Sequence, residues 1–420
     1  MPSLPQRVAT LVAAAAAFAA VAACSGSGDD GHTPAPTGDR APTSVRTGTA
    51  SGTTPAAPAS SPTAVRATGA PVRIGLISPA ALPDIRKTAE AAARYADENV
   101  GGIAGHPIRL VECSDGATTG SARGCANRMV AAGVAAVVVT VTDFGQTLAP
   151  IITGSGIPYI TLGANSTEEL TNPRAFSWTS GARGPLTAMA GWAAGKHYRT
   201  VTGFVPAAPP GGTRIATTAA AVFKAAHVAL DVVELPRGVT PAARPIATAL
   251  ARNPQAAIVL GDAHLCSSVL TALGRRSTRL PTAVGQGCLD PATVRAGRAA
   301  LAVGSVFTPV DTYSADPDTR LYLAALRTYA PAVSPRGAAV IGWAAMLGLV
   351  RSTRGVQGAV TPTAIFAGIK AARDVPLPAG HGVRFTCDAK AAPSLPSACS
   401  TAVLAAGFTG GAPSGYHVVR

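Results

Sequence analysis

Ala136-Val137-Val138-Val139-Thr140-Val141 is an unbroken run of mostly β-branched residues in which polar and apolar positions do not alternate. A strand with one wet face alternates and a strand covered on both faces does not, so this run predicts the middle of a parallel sheet carrying helices on both sides. The neighbouring chain fits. Upstream, a strand from Ile108 to Glu112 leads into a helix from Ser121 to Ala132. Before these come a strand from Val72 to Ile77 and a helix from Asp84 to Asn99 with apolar positions Ile85, Ala89, Ala92 and Tyr95. Downstream, a helix from Gly145 to Thr153 returns the chain to a strand from Ile157 to Thr161. Repeated βα units of this kind join parallel strands by right-handed crossovers.

After a helix around Leu186 to His197 the pattern restarts as a second sheet. It reads strand Thr200 to Val205, helix Thr213 to Ala226, strand Ala229 to Val233, helix Pro241 to Arg252, strand Ala256 to Leu260, helix Leu265 to Arg275 and strand Pro281 to Val284. Helices from Arg320 to Tyr329, Ala338 to Thr353 and Pro362 to Ala371 have no strands between them and are expected to cover a sheet already built. Val383 to Cys387 and Tyr416 to Val419 read as terminal strands. The fold class is α/β, with two Rossmann-like lobes of parallel sheet joined by a multi-strand hinge. Lobe one is expected over 72–183 and 312–375, and lobe two over 184–311 and 376–420. The crossovers fall near Gly181 to Gly184, Pro309 to Thr312 and Val375 to Gly380.

The start of the chain is of another kind. Arg7 supplies a positive charge, Val8 to Ala22 is almost continuously apolar, and Val21-Ala22-Ala23-Cys24 puts small residues before a cysteine. The apolar run is short for a helix crossing about 30 Å of hydrocarbon. The segment 1–23 resembles a bacterial lipoprotein signal, in which Cys24 is acylated and becomes the new N-terminus. An ordinary signal cut after Ala23 and a retained membrane helix are the alternatives. From Ser25 to Pro71 the chain is rich in Thr, Pro, Ala, Gly and Ser, with Asp29, Asp30 and Asp39 balancing Arg40, Arg46 and Arg66. Without Leu, Ile or an aromatic residue it cannot form a core, so 24–71 is read as a lipidated cysteine and a disordered spacer on the order of 35 Å in reach.

The composition supports export and two lobes. The chain has 420 residues, 47% hydrophobic but only 5% aromatic, and the 349 from Val72 to Arg420 are too many for one ordinary core. The net charge of +14 is spread along the chain, which indicates a basic surface and, without a motif, no nucleic-acid partner. Apart from Cys24 the cysteines come as neighbours: Cys113 with Cys125, Cys266 with Cys288, Cys387 with Cys399. Local disulfides are the simplest pairing, each contributing about 3 kcal/mol in the chain-entropy picture. Zinc is the competing use, but the pairs lack close C-x-x-C spacing and only Cys266 has a histidine, His264, beside it.

Several stretches together resemble a known family. These are the opening strand Val72 to Ile77, the turn Asn99-Val100-Gly101-Gly102-Ile103-Ala104-Gly105-His106-Pro107-Ile108, and the helix with Cys125 before Gly133-Val134-Ala135-Ala136-Val137-Val138. Gly156-Ile157-Pro158-Tyr159-Ile160-Thr161, Gly163-Ala164-Asn165-Ser166 and Asn172-Pro173-Arg174-Ala175-Phe176 follow in order. The chain is similar to the branched-chain amino acid binding family of extracellular solute receptors, the type I periplasmic binding proteins of ABC importers, in lipoprotein form. The similarity runs from about Val72 to at least Gly304 and more loosely to the end.

Parallel sheets bind ligands beyond their C-terminal strand ends, where helix N-termini point N–H groups at the cleft. That rule selects Asp143, Phe144, Gly145 and Gln146 after the third strand, and Gly163, Ala164 and Asn165 after the fourth. From lobe two it selects Pro209 and Gly211, then Asp262, Ala263 and His264, then Gln286. The resemblance implies that lobe-one loops hold the carboxylate and amine of an amino acid, helped by a tyrosine and an acidic residue of lobe two. The sequence departs from this. Asp143 and Phe144 replace hydroxyl-bearing residues, no aromatic stands near Pro209, and Gln286 takes the acidic position. Asp143 would repel an α-carboxylate unless it were paired. With Asp262 it suits a cationic solute, whereas His264 with helix N-termini suits an anion. Each has a plainer use: Asp143 and Asp262 as helix caps, Phe144 as core, Asn165 in a turn, His264 facing solvent.

The expected function is an extracytoplasmic receptor, lipid-anchored at Cys24 on the cell membrane, that captures a small polar solute in an interlobe cleft for an ABC permease. The alternative is a sensing or structural envelope lipoprotein of the same fold. No G-x-S-x-G, H-E-x-x-H or phosphate loop points to an enzyme. No cofactor is implied, and the chain is expected to be monomeric.

Overall fold

The computed structural model describes residues 64–237, 239–241 and 243–419. The signal segment, Cys24 and the spacer up to 63 lie outside them. Residues 65–69, assigned to the spacer, are already bonded to the folded chain. Val65 N–H donates to Asn99 O at 3.1 Å, Ala67 N–H to Asp97 O at 2.7 Å and Gly69 N–H to Gly105 O at 2.9 Å. The expected start at Val72 is thus several residues late, because backbone pairing needs no apolar side chains.

Lobe one is built on a parallel sheet in the order β2-β1-β3-β4-β5. Its elements are β1 (Val72–Pro79), α1 (Pro83–Asn99), β2 (Ile108–Asp115), α2 (Thr119–Ala131), β3 (Ala136–Val139), α3 (Gly145–Gly154), β4 (Tyr159–Gly163), α4 (Thr167–Thr171) and β5 (Ala175–Thr179). The first four residues of the quoted run, Ala136–Val139, form β3, which is central and buried at every position. Alternate residues feed two cores. Ala136 and Val138 pack in the cluster with Ala89, Ala92 and Trp343, while Val137 and Val139 pack with Met129, Leu148 and Ile152.

Lobe two follows with α5 (Arg183–Gly195), β6 (Thr200–Pro206), α6 (Ile215–Ala225), β7 (Ala229–Leu235), α7 (Ala243–Leu250), β8 (Ala256–Val259), α8 (Ala263–Gly274), β9 (Thr282–Val284), α9 (Pro291–Ala296), α10 (Arg298–Leu301) and β10 (Gly304–Thr308). The chain then returns to lobe one as α11 (Pro317–Tyr329), α12 (Val340–Ser352) and α13 (Pro362–Ala371), with a small antiparallel pair β11 (Val375–Pro376) and β12 (Arg384–Phe385). It ends in lobe two with β13 (Val403–Thr409) and β14 (Ala412–Val419), giving the order β14-β13-β10-β9-β8-β6-β7. β6 to β10 are parallel, and β13 and β14 add antiparallel at one edge.

The late helices cover the first sheet as expected. α12 is buried along nearly its whole length and comes close to α1, where a Cβ at Gly342 would lie 1.8 Å from Ile85 O. Trp178 of β5 donates its indole N–H to Ala345 O at 3.1 Å. The last lobe boundary needs correction. Residues 376–400 run with lobe one, since Ser177 N–H donates to Ser397 O at 2.9 Å, Cys399 N–H donates to Ser177 O at 2.8 Å, and Phe385 stacks on Trp178. The third crossing therefore follows Ser400 instead of falling at Val375 to Gly380. β5, β10 and β13 had no sequence assignment: β5 and β10 have only five residues each, and Ala405, Ala406 and Gly407 interrupt β13 with residues of little β preference. The three local disulfides are present, Cys113–Cys125, Cys266–Cys288 and Cys387–Cys399. No helix among the described residues is long and apolar enough to cross a membrane.

Candidate functional site

The loop after β3 is fixed from within. Thr142 Oγ1 donates to Asp115 Oδ2 at 2.8 Å and accepts the Phe144 N–H at 3.0 Å, tying the ends of β2 and β3 together. Asp143 is left to face lobe two, where its Oδ1 lies 2.9 Å from Arg237 Nη2. Burial raises the Asp143 carboxyl above its ordinary value, and the charge and hydrogen bond of Arg237 pull it back. The backbone joins in: Thr213 N–H donates to Asp143 O at 2.7 Å. Gln146 donates to Gly211 O and accepts from Thr213 Oγ1 at 2.8 Å. Gly211 sits at φ +73°, in the turn where Gly212 N–H donates to Pro209 O at 2.8 Å. Asp143, Gln146, Pro209 and Gly211 are thus brought together across the lobes. Phe144 is not at the cleft. It is 1% exposed and packs with Leu148, Ala149 and Ile152 in the lobe-one core, because Thr142 holds its backbone with the ring turned inward.

The loop after β4 serves the first crossover. Asn165 Oδ1 accepts the Ala182 N–H at 2.9 Å, and Ala164 N–H donates to Ser177 Oγ at 2.8 Å. Gly163 is pressed against the crossover, where a Cβ would lie 2.8 Å from Gly181 Cα. Behind it lies a carboxylate that the sequence reading missed. Glu169, 2% exposed, accepts from Tyr159 OH at 2.6 Å, Ser166 N–H at 2.9 Å and Ser166 Oγ at 2.8 Å. Burial and the Glu169 charge hold the Tyr159 hydroxyl well above its usual value, so it stays a donor. A Cβ at Gly145 would fall 2.0 Å from the Glu169 carboxylate, which explains glycine as the first residue of α3. Ser166-x-x-Glu169 is a capping box, a signal legible in the sequence. Arg237 had no local signal.

In lobe two, Asp262 Oδ1 accepts the Leu265 N–H at 3.0 Å and caps α8. Ala263 is the first residue of that helix and His264, its second, is exposed. Gln286 is buried and reaches back to lobe one, donating to Gly337 O at 2.7 Å while accepting from Thr308 Oγ1. The selected residues therefore divide between interlobe bonds, helix caps and the crossover, and do not line one chamber. Ala164 and Asn165 do border a cavity of about 170 Å³, closed by Leu170, Ile215, Thr218 and Leu395 between α4 and α6. A larger depression of about 340 Å³ on the outer face of α6 and β7 contains none of the cleft residues.

The comparisons agree with this architecture. The family described as "Periplasmic binding protein" matches residues 71–397. A leucine binding protein, LivK, from Thermotoga maritima superposes with a TM-score of 0.65 at 15% identity, covering 83% of this chain and 99% of that one. The branched-chain amino acid transporter substrate binding protein LivJ from Streptococcus pneumoniae, in complex with isoleucine, gives 0.66 at 16% identity, covering 83% and 99%. A fatty acid ABC transporter substrate-binding protein from Thermomonospora curvata gives 0.67 at 13% identity, covering 84% and 93%. No curated protein sequence matches the chain. At such identities the solved structures establish the fold.

Proposed function

The chain belongs to the periplasmic binding protein family, and on that premise we propose that it is a lipid-anchored receptor on the outer face of the cell membrane. It captures a small polar solute, an amino acid or related compound, between its lobes and delivers it to the permease of an ABC importer. One observation carries this reading: loops at the C-terminal strand ends of both sheets bond to each other across the lobes, through Asp143 with Arg237 and Gln146 with Gly211 and Thr213. Lobes joined by short chain crossovers and such polar contacts can part and close again, and a solute that touches both favours the closed form. Pairing with Arg237 also removes the objection that Asp143 would repel an acid. Leucine, isoleucine and a fatty acid, named for the three compared proteins, all carry a carboxylate.

The test is a thermal-shift screen of the full-length chain against amino acids, polyamines, aromatic acids, short amides and sugars at millimolar concentration. A solute at 100 times its Kd should add about 2.7 kcal/mol, a rise of several °C, and should lower the radius of gyration measured by X-ray scattering. A panel in which no solute stabilises the chain refutes the receptor reading.

A further inference from the structure

The β14 edge of lobe two faces a group of polar atoms that the fold leaves without protein partners. Thr312 Oγ1, Tyr322 OH, Arg336 Nη1 and Tyr416 OH are all buried and make no protein hydrogen bond. They come from four segments: the second crossover, α11, the turn before α12, and β14. Arg336 is the cation of the group. Its guanidinium carbon lies 4.2 Å from the centre of the Tyr313 ring, and its charge acts on the hydroxyls of Tyr313, Tyr322 and Tyr416. Tyr313 OH donates to Leu289 O at 2.7 Å, so this ring bridges from the crossover to lobe two. Burial pushes the Tyr322 and Tyr416 hydroxyls far above their ordinary values, which keeps both protonated and able to donate.

Buried donors are almost always satisfied, and two orphan hydroxyls in the field of an orphan guanidinium nitrogen call for an acceptor. The acidic side chains nearby are engaged elsewhere. Asp311 pairs with His381 Nδ1 at 2.9 Å and accepts from Ser314, and Asp290 Oδ1 caps α9 by accepting the Ala292 N–H at 2.9 Å. We propose that Arg336, with the hydroxyls of Tyr322 and Tyr416, forms an anion subsite that receives the carboxylate of the captured solute. The inference rests on the receptor reading and names the substrate class: a small acid carrying one negative charge. A single guanidinium balances one negative charge and would leave a phosphate dianion uncompensated, and its planar fork suits a carboxylate. The placement differs from that implied by the family resemblance, which puts the acid group on the loops after β3 and β4. Here the β3 loop is bonded to lobe two at the β6 and β7 edge, and the β4 loop to the first crossover. Because Tyr322 and Arg336 belong to lobe one and Tyr416 to lobe two, an acid held here links the lobes and favours closure.

The experiment uses the full-length chain, calorimetry and matched probes: L-leucine against L-leucinamide, phenylacetate against phenylacetamide, and acetate alone. The expected result is that an acid binds at least tenfold more tightly than its amide. Arg336→Met should lower acid affinity tenfold or more while leaving amide affinity within twofold. Tyr416→Phe, which removes one hydroxyl and should keep the native circular dichroism, should lower acid affinity threefold or more. Acid and amide binding alike, or both variants binding acids as the native chain does, overturns the subsite while the receptor reading stands. If acetate stabilises the chain through Arg336 but no larger solute binds, the receptor reading fails and the anion subsite survives. Failure of the acids and of acetate alike overturns both.

Discussion

The Asp143 and Arg237 side chains meet across the cleft at 2.9 Å while 20% and 35% exposed. A pair this wet contributes about 0–1 kcal/mol, so it sets the register of the lobes without locking them. Gln146 and Asn165 behave in the same way, each spending its amide on the opposite lobe or on the crossover. A different carboxylate carries the pH dependence. Asp97 accepts the Ile108 N–H at 2.9 Å, yet burial raises its carboxyl to about 6, with the Glu98 charge adding to the rise. Between about pH 4 and pH 6 the folded chain holds a proton there that the unfolded chain has released. Its stabilising contribution is therefore complete below about pH 4 and is lost as the pH climbs through 6. Urea midpoints measured from pH 4 to pH 7 should decline across that window in the native chain and decline less in Asp97→Asn. Parallel profiles for the two would show that Asp97 does not titrate there.

Among the elements, α12 is the most constrained. It is buried on nearly every side, and two of its glycines permit close approach: a Cβ at Gly342 would meet Ile85 O at 1.8 Å, and one at Gly348 would meet the Trp178 indole nitrogen at 2.4 Å. The contact at Gly342 is with backbone, which cannot swing aside. Gly342→Ala should destabilise the chain by about 1–3 kcal/mol despite the better helix propensity of alanine. Gly191→Ala in α5, where a Cβ meets nothing within 4 Å, should be neutral or stabilising by up to about 1 kcal/mol. Equal urea midpoints for the two variants would contradict the packing assigned to α12. The capping box at the start of α4 has the opposite character, since Ser166 and Glu169 close it locally and Glu169 then reaches Tyr159.

At the scale of the molecule, two sheets of different size face each other and are joined by crossings after Thr179, Thr308 and Ser400. Each crossing is a short segment, so the relative position of the lobes is decided by contacts at the two edges of the cleft. Asp143, Gln146 and Arg237 lie at one edge, and Gln286, Tyr313 and Arg336 at the other. The proposed lipid anchor belongs to this scale too. Two or more acyl chains on one cysteine suffice for stable membrane attachment. Cys24→Ala should move the protein from the membrane fraction to the soluble fraction without altering solute affinity, as fractionation and calorimetry would show. A variant that stays with the membrane would discount acylation at Cys24.

The sequence by itself determined the fold class and the three disulfides, because both are written in short-range pattern. A strand buried on both faces cannot alternate, as Ala136 to Val139 show, and neighbouring cysteines close small loops. Strand ends in a parallel sheet have a fixed polarity, so the sequence could also select loops after β3, β4, β6, β8 and β9 as candidates. Only the tertiary structure decided what those residues do. Whether Asp143 stands free or paired depends on Arg237, which is brought to it by a second sheet, and Phe144 turns inward because Thr142 holds its backbone. Arg336, Tyr322 and Tyr416 share no motif, and their common environment exists only once α11, α12 and β14 have packed around the second crossover. Charge pairing and burial depend on distance in space, and distance along the chain does not predict it.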